Sequence, residues 1–222
     1  MSRLPADPEG FIRANTALAR PAMVPEFELW LASEYVPIWQ ATEDWLEQHN
    51  VDPPYWAFCW PGGQAIARHL LDHPELVQGR HVVDFAAGSA VSALAAARAG
   101  ARGVVANDID ALSLVAARLN AEANGLAIAT SGEDWLAAGD GEPEADVVIA
   151  GDVCYERAMS ARALQWLRSH AARGRLVLLG DPGRNYFSAK GLEECARYEI
   201  PTSLQLENRG MRETVVWRVL PA

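Results

Sequence analysis

The chain has 222 residues, of which 50% are hydrophobic and 22% are charged, a composition typical of a single globular domain with a sizeable core. Its net charge of −10 would repel phosphate backbones, so we expect no nucleic-acid partner, and the lack of an apolar run of about 18 residues predicts no membrane span. The three cysteines show no metal-ligand spacing, which indicates no bound metal and a reducing compartment, the cytoplasm.

The first part of the chain, residues 1–60, is predicted to be a helical segment that packs on the core within one structural domain overall. Prolines divide this segment into two or three helical pieces, the last of them at 41–50. The stretch PYWAFCWPGGQAIARHL follows, with several aromatic residues just before a tight turn and a helix. These aromatic rings either pack in the core or form the wall of a ligand site.

From residue 61 onward, predicted strands and helices alternate. Buried strands are predicted at 81–86, 103–108, 126–131, 146–152 and 175–181. Helices are predicted at 64–73, 89–100, 111–125, 157–172 and 187–197. In the helix at 89–100, we expect Ser89 to be the cap and Gly100 the stop.

The last two strand-like runs, at 198–208 and 212–220, are joined by a connection short enough for an antiparallel hairpin. Alternating helices and continuously apolar strands are typical of parallel sheets that are covered on both faces. The sequence therefore predicts an α/β fold: a doubly wound, mostly parallel, seven-stranded Rossmann-like sheet, with a C-terminal antiparallel hairpin and N-terminal helices.

In such sheets a ligand binds at the carboxyl ends of the strands, so the residues that follow each strand are examined first. The first strand runs into VVDFAAGSA, where the positions of the three dinucleotide-binding glycines hold Ala86, Gly88 and Val91. Asp84 would also repel a pyrophosphate. The loop therefore favours a ligand that carries an ammonium group, such as S-adenosylmethionine, and the small residues let the backbone approach it closely. A strand-to-helix turn without a ligand is the alternative.

The next two strand ends offer further contacts for a nucleoside cofactor. Asp108, in NDID, is expected to accept hydrogen bonds from the ribose hydroxyls. Asp110 is the alternative, although it could simply cap the following helix. After the third strand, we expect Asp134 to meet the adenine amino group and Trp135 to flank the ring.

The fourth strand ends in GDVCYE, where Tyr155 follows Asp152 by three residues and can share its site. Asp152 could instead cap a helix, and Tyr155 could be a packing residue. However, Asp84, Asp108 and Asp152 would lie on one sheet edge, and buried carboxylates are costly without partners. A shared cationic ligand accounts for all three.

These residues resemble the seven-β-strand, class I, S-adenosylmethionine-dependent methyltransferases. The D-x-x-Y of Asp152–Tyr155 resembles the lysine methyltransferase group in particular. The stretches WAFCWPGGQAIARHLLDHPELVQG, ANDID and GDPGR resemble the bacterial form of the lysine methyltransferases of the electron transfer flavoprotein β subunit. The resemblance spans roughly residues 20–220, and Ala86 and Ala90 replace glycines of the common D-x-G-x-G-x-G loop.

The resemblance implies that residues 61–222 form a class I methyltransferase domain with S-adenosylmethionine as its cofactor. Trp60 and Gly62 would belong to the wall of the cofactor site, while Trp56 would lie closer to the core. Asp152 would contact the cofactor and accept a hydrogen bond from the acceptor nitrogen, and Tyr155 would shape the lysine channel.

The resemblance also implies a partner, the β subunit of electron transfer flavoprotein, as the protein substrate, and we expect the enzyme to be a monomer. Two other functions are left open by the sequence. The first is a small-molecule N-methyltransferase similar to nicotinamide N-methyltransferase, and the second is a cofactor-binding protein without catalysis.

Overall fold

The computed structural model describes residues 4–32, 54–137, 144–202, 207 and 210–221. The helix predicted at 41–50 lies outside these residues. The N-terminal segment comprises the helix α1 (Pro8–Asn15), the antiparallel pair β1 (Ala17–Ala19) and β2 (Leu29–Leu31), and a 3₁₀ turn at Tyr55–Ala57. The prediction of helical pieces alone was therefore incomplete, because this segment also forms a small two-stranded sheet.

Seven strands form the main sheet: β3 (His81–Phe85), β4 (Gly103–Asn107), β5 (Ala129–Ser131), β6 (Val147–Gly151), β7 (Leu176–Asp181), β8 (Leu192–Pro201) and β9 (Met211–Val219). Their order is β5-β4-β3-β6-β7-β9-β8. The first five strands in that order are parallel, and β9 runs antiparallel to both of its neighbours. The predicted doubly wound sheet with a closing antiparallel hairpin is confirmed.

Helices cover both faces of this sheet: α2 (Pro61–Asp72), α3 (Val91–Arg98), α4 (Ala111–Ala123) and α5 (Arg157–Ala172). Side chains of β3 alternate between two cores, since Val82 packs in the cluster of α2 and α3, whereas Val83 packs in the cluster of α5. Burial on both faces explains why the strands are continuously apolar. Within the described residues, no helix has the length and apolar character needed to cross a membrane.

The helix predicted at 187–197 was wrong, because this part of the chain contributes to β8. Its residues LEECAR favour a helix locally, but pairing with β9 along nine register positions outweighs that preference. Every second residue of this part of the strand faces inward, so that Ala196, Tyr198 and Ile200 pack on the core. The hairpin strands therefore begin and end earlier than predicted.

The predicted cap at Ser89 was also wrong. The N-cap of α3 is Ala90, in a left-handed conformation with φ of 61°, and its side chain cannot accept a hydrogen bond. The capping acceptor comes instead from the preceding strand, because Oδ2 of Asp84 accepts a hydrogen bond from the N–H of Ala93 at 3.0 Å. Gly100 follows the helix with φ of 88°, as expected of a helix stop.

Two asparagines at the end of α4, Asn120 and the C-cap residue Asn124, fasten the N-terminal hairpin to the main sheet. The Oδ1 of buried Asn120 accepts a hydrogen bond from the N–H of Trp30 at 2.7 Å, while its Nδ2 donates to the carbonyl of Ser89 at 3.0 Å. Asn124 both accepts from and donates to the backbone of Glu28. The N-terminal segment is thereby held against the loop that follows β3, next to the carboxyl edge of the sheet.

Candidate functional site

The structure brings the three predicted carboxylates to the same edge of the sheet. Asp84 is the penultimate residue of β3, and β3 lies between β4 and β6, which Asp108 and Asp152 follow directly. A fourth carboxylate, Asp181, ends β7 at this edge and was not identified from the sequence. Four acids at the carboxyl ends of adjacent strands mark this edge as the candidate site.

Asp108 joins two loops that face the expected cofactor. Its Oδ2 accepts a hydrogen bond from the N–H of Gly88 at 2.9 Å, and its Oδ1 accepts one from the N–H of Asp110 at 3.0 Å. Asp110 itself is the N-cap of α4, with Oδ1 accepting from the N–H of Leu112 at 2.9 Å. The geometry therefore gives Asp110 a structural role and leaves Asp108 at the mouth of the site.

Other residues around Asp108 fit a nucleoside cofactor. The side chain of Ile109 is 71% exposed, although it is apolar and follows a buried strand, and an adenine ring would cover it. Ala86 and Gly88 both have left-handed backbone conformations, with φ of 54° and 51°. A Cβ at Gly88 would meet no described atom closer than 3.9 Å, so the loop leaves room for a ligand. Ile109 was not predicted as a site residue, because the sequence does not show that its side chain is exposed.

Asn107 holds the loop after β5 in place, because its buried Nδ2 donates to the carbonyl of Ser131, the last residue of β5, at 3.1 Å and to that of Glu133 in the loop at 2.9 Å. Asp134 is exposed there, and its Oδ1 accepts hydrogen bonds from two N–H groups of the following turn. Trp135 is only 3% exposed and stacks on Trp166, with ring centroids 6.2 Å apart. Contact of Asp134 with adenine stays a prediction, whereas the burial of Trp135 favours a packing role.

Asp84 is a buried acid with unusual electrostatics. Only 2% of the surface of Asp84 is exposed. Burial raises the pKa of Asp84 to about 8, the negative charge of Asp108 adds to the rise, and the N–H of Ala93 opposes it. Asp84 is therefore mostly protonated at neutral pH, and a cation placed beside it would favour its ionised form.

This raised pKa gives a testable linkage to cofactor binding. At pH 7, binding of S-adenosylmethionine is expected to release up to about one proton, since the positive ligand lowers the pKa of Asp84. Calorimetry in two buffers of different ionisation enthalpy measures this release, and Asp84→Asn is expected to abolish it. Equal proton release by the wild type and the variant would assign the effect to another group.

The same shift sets the sign of the pH dependence of stability. The folded protein holds a proton on Asp84 that the unfolded chain loses above its ordinary pKa of 3.8. The contribution of Asp84 to stability is therefore full below that pH, and it is lost as the pH rises toward about 8.

Asp152 connects the carboxyl end of β6 with the start of α2. Its Oδ2 accepts hydrogen bonds from the N–H groups of Gly62 and Gly63 at 2.6 and 3.2 Å. Its Oδ1 accepts two from Arg184, from Nη2 at 2.7 Å and Nε at 3.1 Å. Burial raises the pKa of Asp152, and the guanidinium of Arg184 offsets part of that rise. These four donors match the roughly four lone-pair sites of a carboxylate, so Asp152 caps α2 as well as lying at the predicted acceptor position.

Three glycines allow α2 to approach the sheet closely enough for this cap. Gly151 and Gly180 are register partners on β6 and β7, and the backbone of Gly62 lies against both. A Cβ on Gly62 would lie 2.3 Å from the carbonyl oxygen of Gly180 and 2.5 Å from Oδ2 of Asp152. Close approach of backbone to backbone thus explains Gly62, and a contact with the cofactor stays a prediction.

The Gly62→Ala substitution is therefore expected to destabilise the fold by about 1–3 kcal/mol, because the added methyl group has no space. Gly63→Ala is the matched control, since its Cβ would meet only side-chain atoms, the nearest at 3.2 Å. Chemical denaturation of both variants measures the difference. Equal stability of the two variants would show that α2 can shift away from β7 at little cost.

Arg184 was not assigned a role from the sequence, although GDPGR was noted as a motif. Its guanidinium donates to Asp152 and also to both carboxylate oxygens of Glu207, at 2.7 and 3.2 Å. The Nε of Arg212 donates to the same Glu207 at 3.0 Å. The Cζ of Arg184 lies 5.4 Å from the centroid of the Trp60 ring. Arg184 thus joins β6, α2 and the connection between β8 and β9.

Asp181 fixes the loop that carries Arg184. Its Oδ1 accepts hydrogen bonds from the N–H groups of Gly183 and Arg184, both at 2.7 Å. Burial raises the pKa of Asp181 to about 6, and the nearby charge of Asp152 adds to the rise. At neutral pH Asp181 is therefore mostly ionised and adds a further negative charge to this edge.

Some of the aromatic residues before α2 pack in the core, and others lie at the candidate site. Trp56 is fully buried against α4, as predicted. The Nε1 of Trp60 donates to the carbonyl of Tyr55 at 2.9 Å, and the ring of Tyr55 lies 5.5 Å from that of Tyr155. Tyr155 is 45% exposed, which favours a place at the site over packing in the core. The rings of Tyr55, Trp60 and Tyr155 thus form one aromatic wall next to Asp152.

Comparison with known proteins identifies the family to which the chain belongs. Residues 68–153 match the family model of ribosomal protein L11 methyltransferase. The curated electron transfer flavoprotein beta subunit lysine methyltransferase of Danio rerio is 36% identical over 218 residues, which cover 96% of this chain and 83% of the relative. The Homo sapiens protein of the same name is 33% identical over 232 residues, covering 97% and 84%.

Solved structures show the same fold. Magnesium protoporphyrin IX methyltransferase from Synechocystis PCC 6803, with S-adenosylmethionine bound, aligns over 98% of this chain and 99% of that chain, with a TM-score of 0.53 and 15% identity. Ribosomal protein L11 methylase from Lactobacillus delbrueckii subsp. bulgaricus aligns over 73% and 81%, with a TM-score of 0.52 and 22% identity. The chain therefore belongs to the electron transfer flavoprotein beta subunit lysine methyltransferases, a family of S-adenosylmethionine-dependent enzymes with a Rossmann-like fold.

Proposed function

We propose that this methyltransferase modifies lysine side chains on the β subunit of electron transfer flavoprotein. The observation that carries the proposal is the similarity to enzymes of that name, which extends over 96% of the chain. An edge with several carboxylates suits a cationic side chain, since opposite charges attract the acceptor before transfer.

When bound, S-adenosylmethionine supplies an electrophilic methyl group at this edge. A free lysine amine has a pKa of about 10.4, so the site must favour the neutral amine for the transfer step. The rings of Tyr55, Trp60 and Tyr155 would replace part of the water around a bound amine, and this partial desolvation disfavours the ammonium form. The carboxylates then stabilise the positive charge that develops on nitrogen as the new bond forms.

The chain's own residues also orient the reactants. Asp108 joins the loops after β3 and β4, so that a ribose at its carboxylate would be fixed relative to Gly88. Asp152 and Arg184 fix the start of α2 and, with it, the position of Trp60. Correct positioning of two reactants can account for a large share of the rate of such a displacement.

We also propose that the enzyme works as a cytoplasmic monomer. Cys59, Cys154 and Cys195 are free thiols, which suits a reducing compartment. The edge strand β8 carries exposed charged residues, including Glu193, Glu194 and Arg197, and such charges discourage pairing with a second sheet.

Reaction of the purified β subunit and of nicotinamide at matched concentrations tests the proposal. Mass spectrometry is expected to find methylated lysine in the β subunit and little or no methylated nicotinamide, because the carboxylates of this edge suit a cationic side chain better than a neutral pyridine ring. An Asp108→Ala preparation serves as the control for contaminating activity. Methylated nicotinamide beside an unmodified β subunit would favour the small-molecule enzyme instead.

A further inference from the structure

Beside the acidic edge, a pocket of about 320 Å³ lies between the N-terminal segment, the start of α2 and the end of β8. Its walls include Phe58, Trp60, Gln64, Thr202 and Glu207. Its volume lies at the low end of the range of about 300–1000 Å³ for small-ligand sites. A pocket of this size accepts a single extended side chain more readily than a folded element.

The polar group in this pocket is a carboxylate. Glu207 is 9% exposed, and three donors from Arg184 and Arg212 reach its two oxygens. A carboxylate has about four lone-pair sites, so these donors leave capacity for one further hydrogen bond. Phe58 and Trp60 add aromatic surface, with ring centroids 5.7 Å apart. A carboxylate beside aromatic rings is the chemistry that recognises alkylammonium groups.

The charge balance of the surrounding groups points the same way. Among the described residues, the network that includes Glu207 holds three carboxylates and two guanidinium groups: Asp152, Asp181, Glu207, Arg184 and Arg212. Asp152 and Glu207 match the two guanidinium charges, and Asp181, which contacts the network through the backbone N–H of Arg184 and lies outside the pocket lining, adds one further negative charge when it is ionised. A monocation in the pocket would balance it.

The pocket also lies next to the predicted acceptor position. The Nη2 of Arg184 is 2.7 Å from Oδ1 of Asp152 and 2.7 Å from Oε1 of Glu207, so one nitrogen atom bridges the two carboxylates. Because the oxygens of Asp152 already accept four hydrogen bonds, Glu207 is the better placed of the two acids to meet an incoming cation.

We propose that this pocket receives the alkylammonium side chain of the acceptor as it docks, before the amine loses a proton to water and reacts in its neutral form, with Glu207 as the carboxylate that binds the ammonium and Arg184 as the positioning residue that holds Glu207 beside Asp152. The inference rests on the proposed function, since it assumes that the acceptor is a lysine. It assigns to the β8–β9 hairpin a part in substrate binding, in addition to its place in the sheet.

The test is direct binding of n-butylammonium, a probe with the length of a lysine side chain, to the enzyme saturated with S-adenosylhomocysteine. Ligand-observed nuclear magnetic resonance is expected to show binding to the wild type. Glu207→Gln should weaken it roughly tenfold, the effect of losing a hydrogen bond to a charged group. Glu213→Gln is the matched control, an exposed acid on β9 that pairs with Arg197 instead.

A second pair of variants tests the pocket without removing Glu207. Thr202→Lys adds an ammonium group to the pocket wall and is expected to exclude the probe, whereas Thr202→Gln adds a neutral side chain of similar reach and should weaken binding less. In methyl transfer to the β subunit, Thr202→Lys and Glu207→Gln should raise KM for the acceptor, with the affinity for S-adenosylhomocysteine unchanged.

The outcomes separate the two proposals. Equal binding of n-butylammonium to the wild type, Glu207→Gln and Thr202→Lys, or no binding at all, would overturn the pocket assignment. Binding that depends on these residues would support the assignment even if the wild type leaves the β subunit unmodified, a result that would contradict the proposed protein substrate alone.

Discussion

Replacing Asp152 by alanine is expected to cause the largest loss of stability of any substitution at the site, roughly 3–5 kcal/mol. The carboxylate accepts hydrogen bonds from two N–H groups of α2 and two from Arg184, and alanine leaves these buried donors without that partner. For a chain of this length, such a loss lowers Tm by roughly 6–20 °C. Thermal and chemical denaturation measure the effect.

The variants Asp152→Asn and Arg184→Met separate the structural from the catalytic part of this role. Asparagine keeps an oxygen for the N–H groups of α2 but removes the charge, so we expect a smaller loss of stability and a low turnover. The double variant of Asp152→Ala with Arg184→Met should be more stable than the sum of the single losses predicts, because the two side chains form a pair. Near-normal turnover of Asp152→Asn would limit Asp152 to capping α2.

The Asp108→Ala substitution is expected to weaken binding of S-adenosylhomocysteine roughly 10- to 150-fold, which corresponds to the loss of about 1.5–3 kcal/mol for hydrogen bonds to a charged group. The carboxylate would lose the ribose hydroxyls, and the loop at Gly88 would lose its tie to β4. Isothermal titration calorimetry of the folded variant measures this change in affinity.

Asp110→Ala is the natural comparison, since Asp110 lies two residues away and caps α4. We expect a loss of stability of about 1 kcal/mol with near-normal cofactor affinity. The opposite pattern, with affinity lost in Asp110→Ala and kept in Asp108→Ala, would move the ribose contact to Asp110.

Much of the fold could be predicted because its signals are local. Strands buried on both faces are continuously apolar, and helices with an apolar side separate them along the chain, so the order of elements from β3 to β7 followed from the sequence. The convergence of Asp84, Asp108 and Asp152 followed from the same order, because parallel strands end at one edge.

The errors arose where distant contacts outweigh local preference. The residues of β8 favour a helix on their own, and only pairing with β9 makes them a strand. Ser89 has the side chain of a helix cap, but Asp84 supplies the acceptor from the preceding strand. Neither the pairing of β8 with β9 nor the capping of α3 by Asp84 can be identified from the residues next to β8 or next to Ser89.

The network of Arg184 and Glu207 could not be predicted for a similar reason. Arg184 lies 32 residues from Asp152 and 23 from Glu207, and no periodic pattern connects them. Glu207 was part of a predicted strand, in which an acidic side chain has no evident use. Their contacts form only when the ends of β6 and β7 meet the connection between β8 and β9 in the assembled fold.

The central claim, that the enzyme methylates lysines of the electron transfer flavoprotein β subunit, is tested most directly on the β subunit from living cells. Peptide mass spectrometry of that subunit, purified with and without this enzyme in the cell, is expected to find methylated lysines only when the enzyme is present. Wild-type enzyme, but not Asp108→Ala, should restore them. Identical lysine methylation in both cell types, or none in either, would contradict the claim.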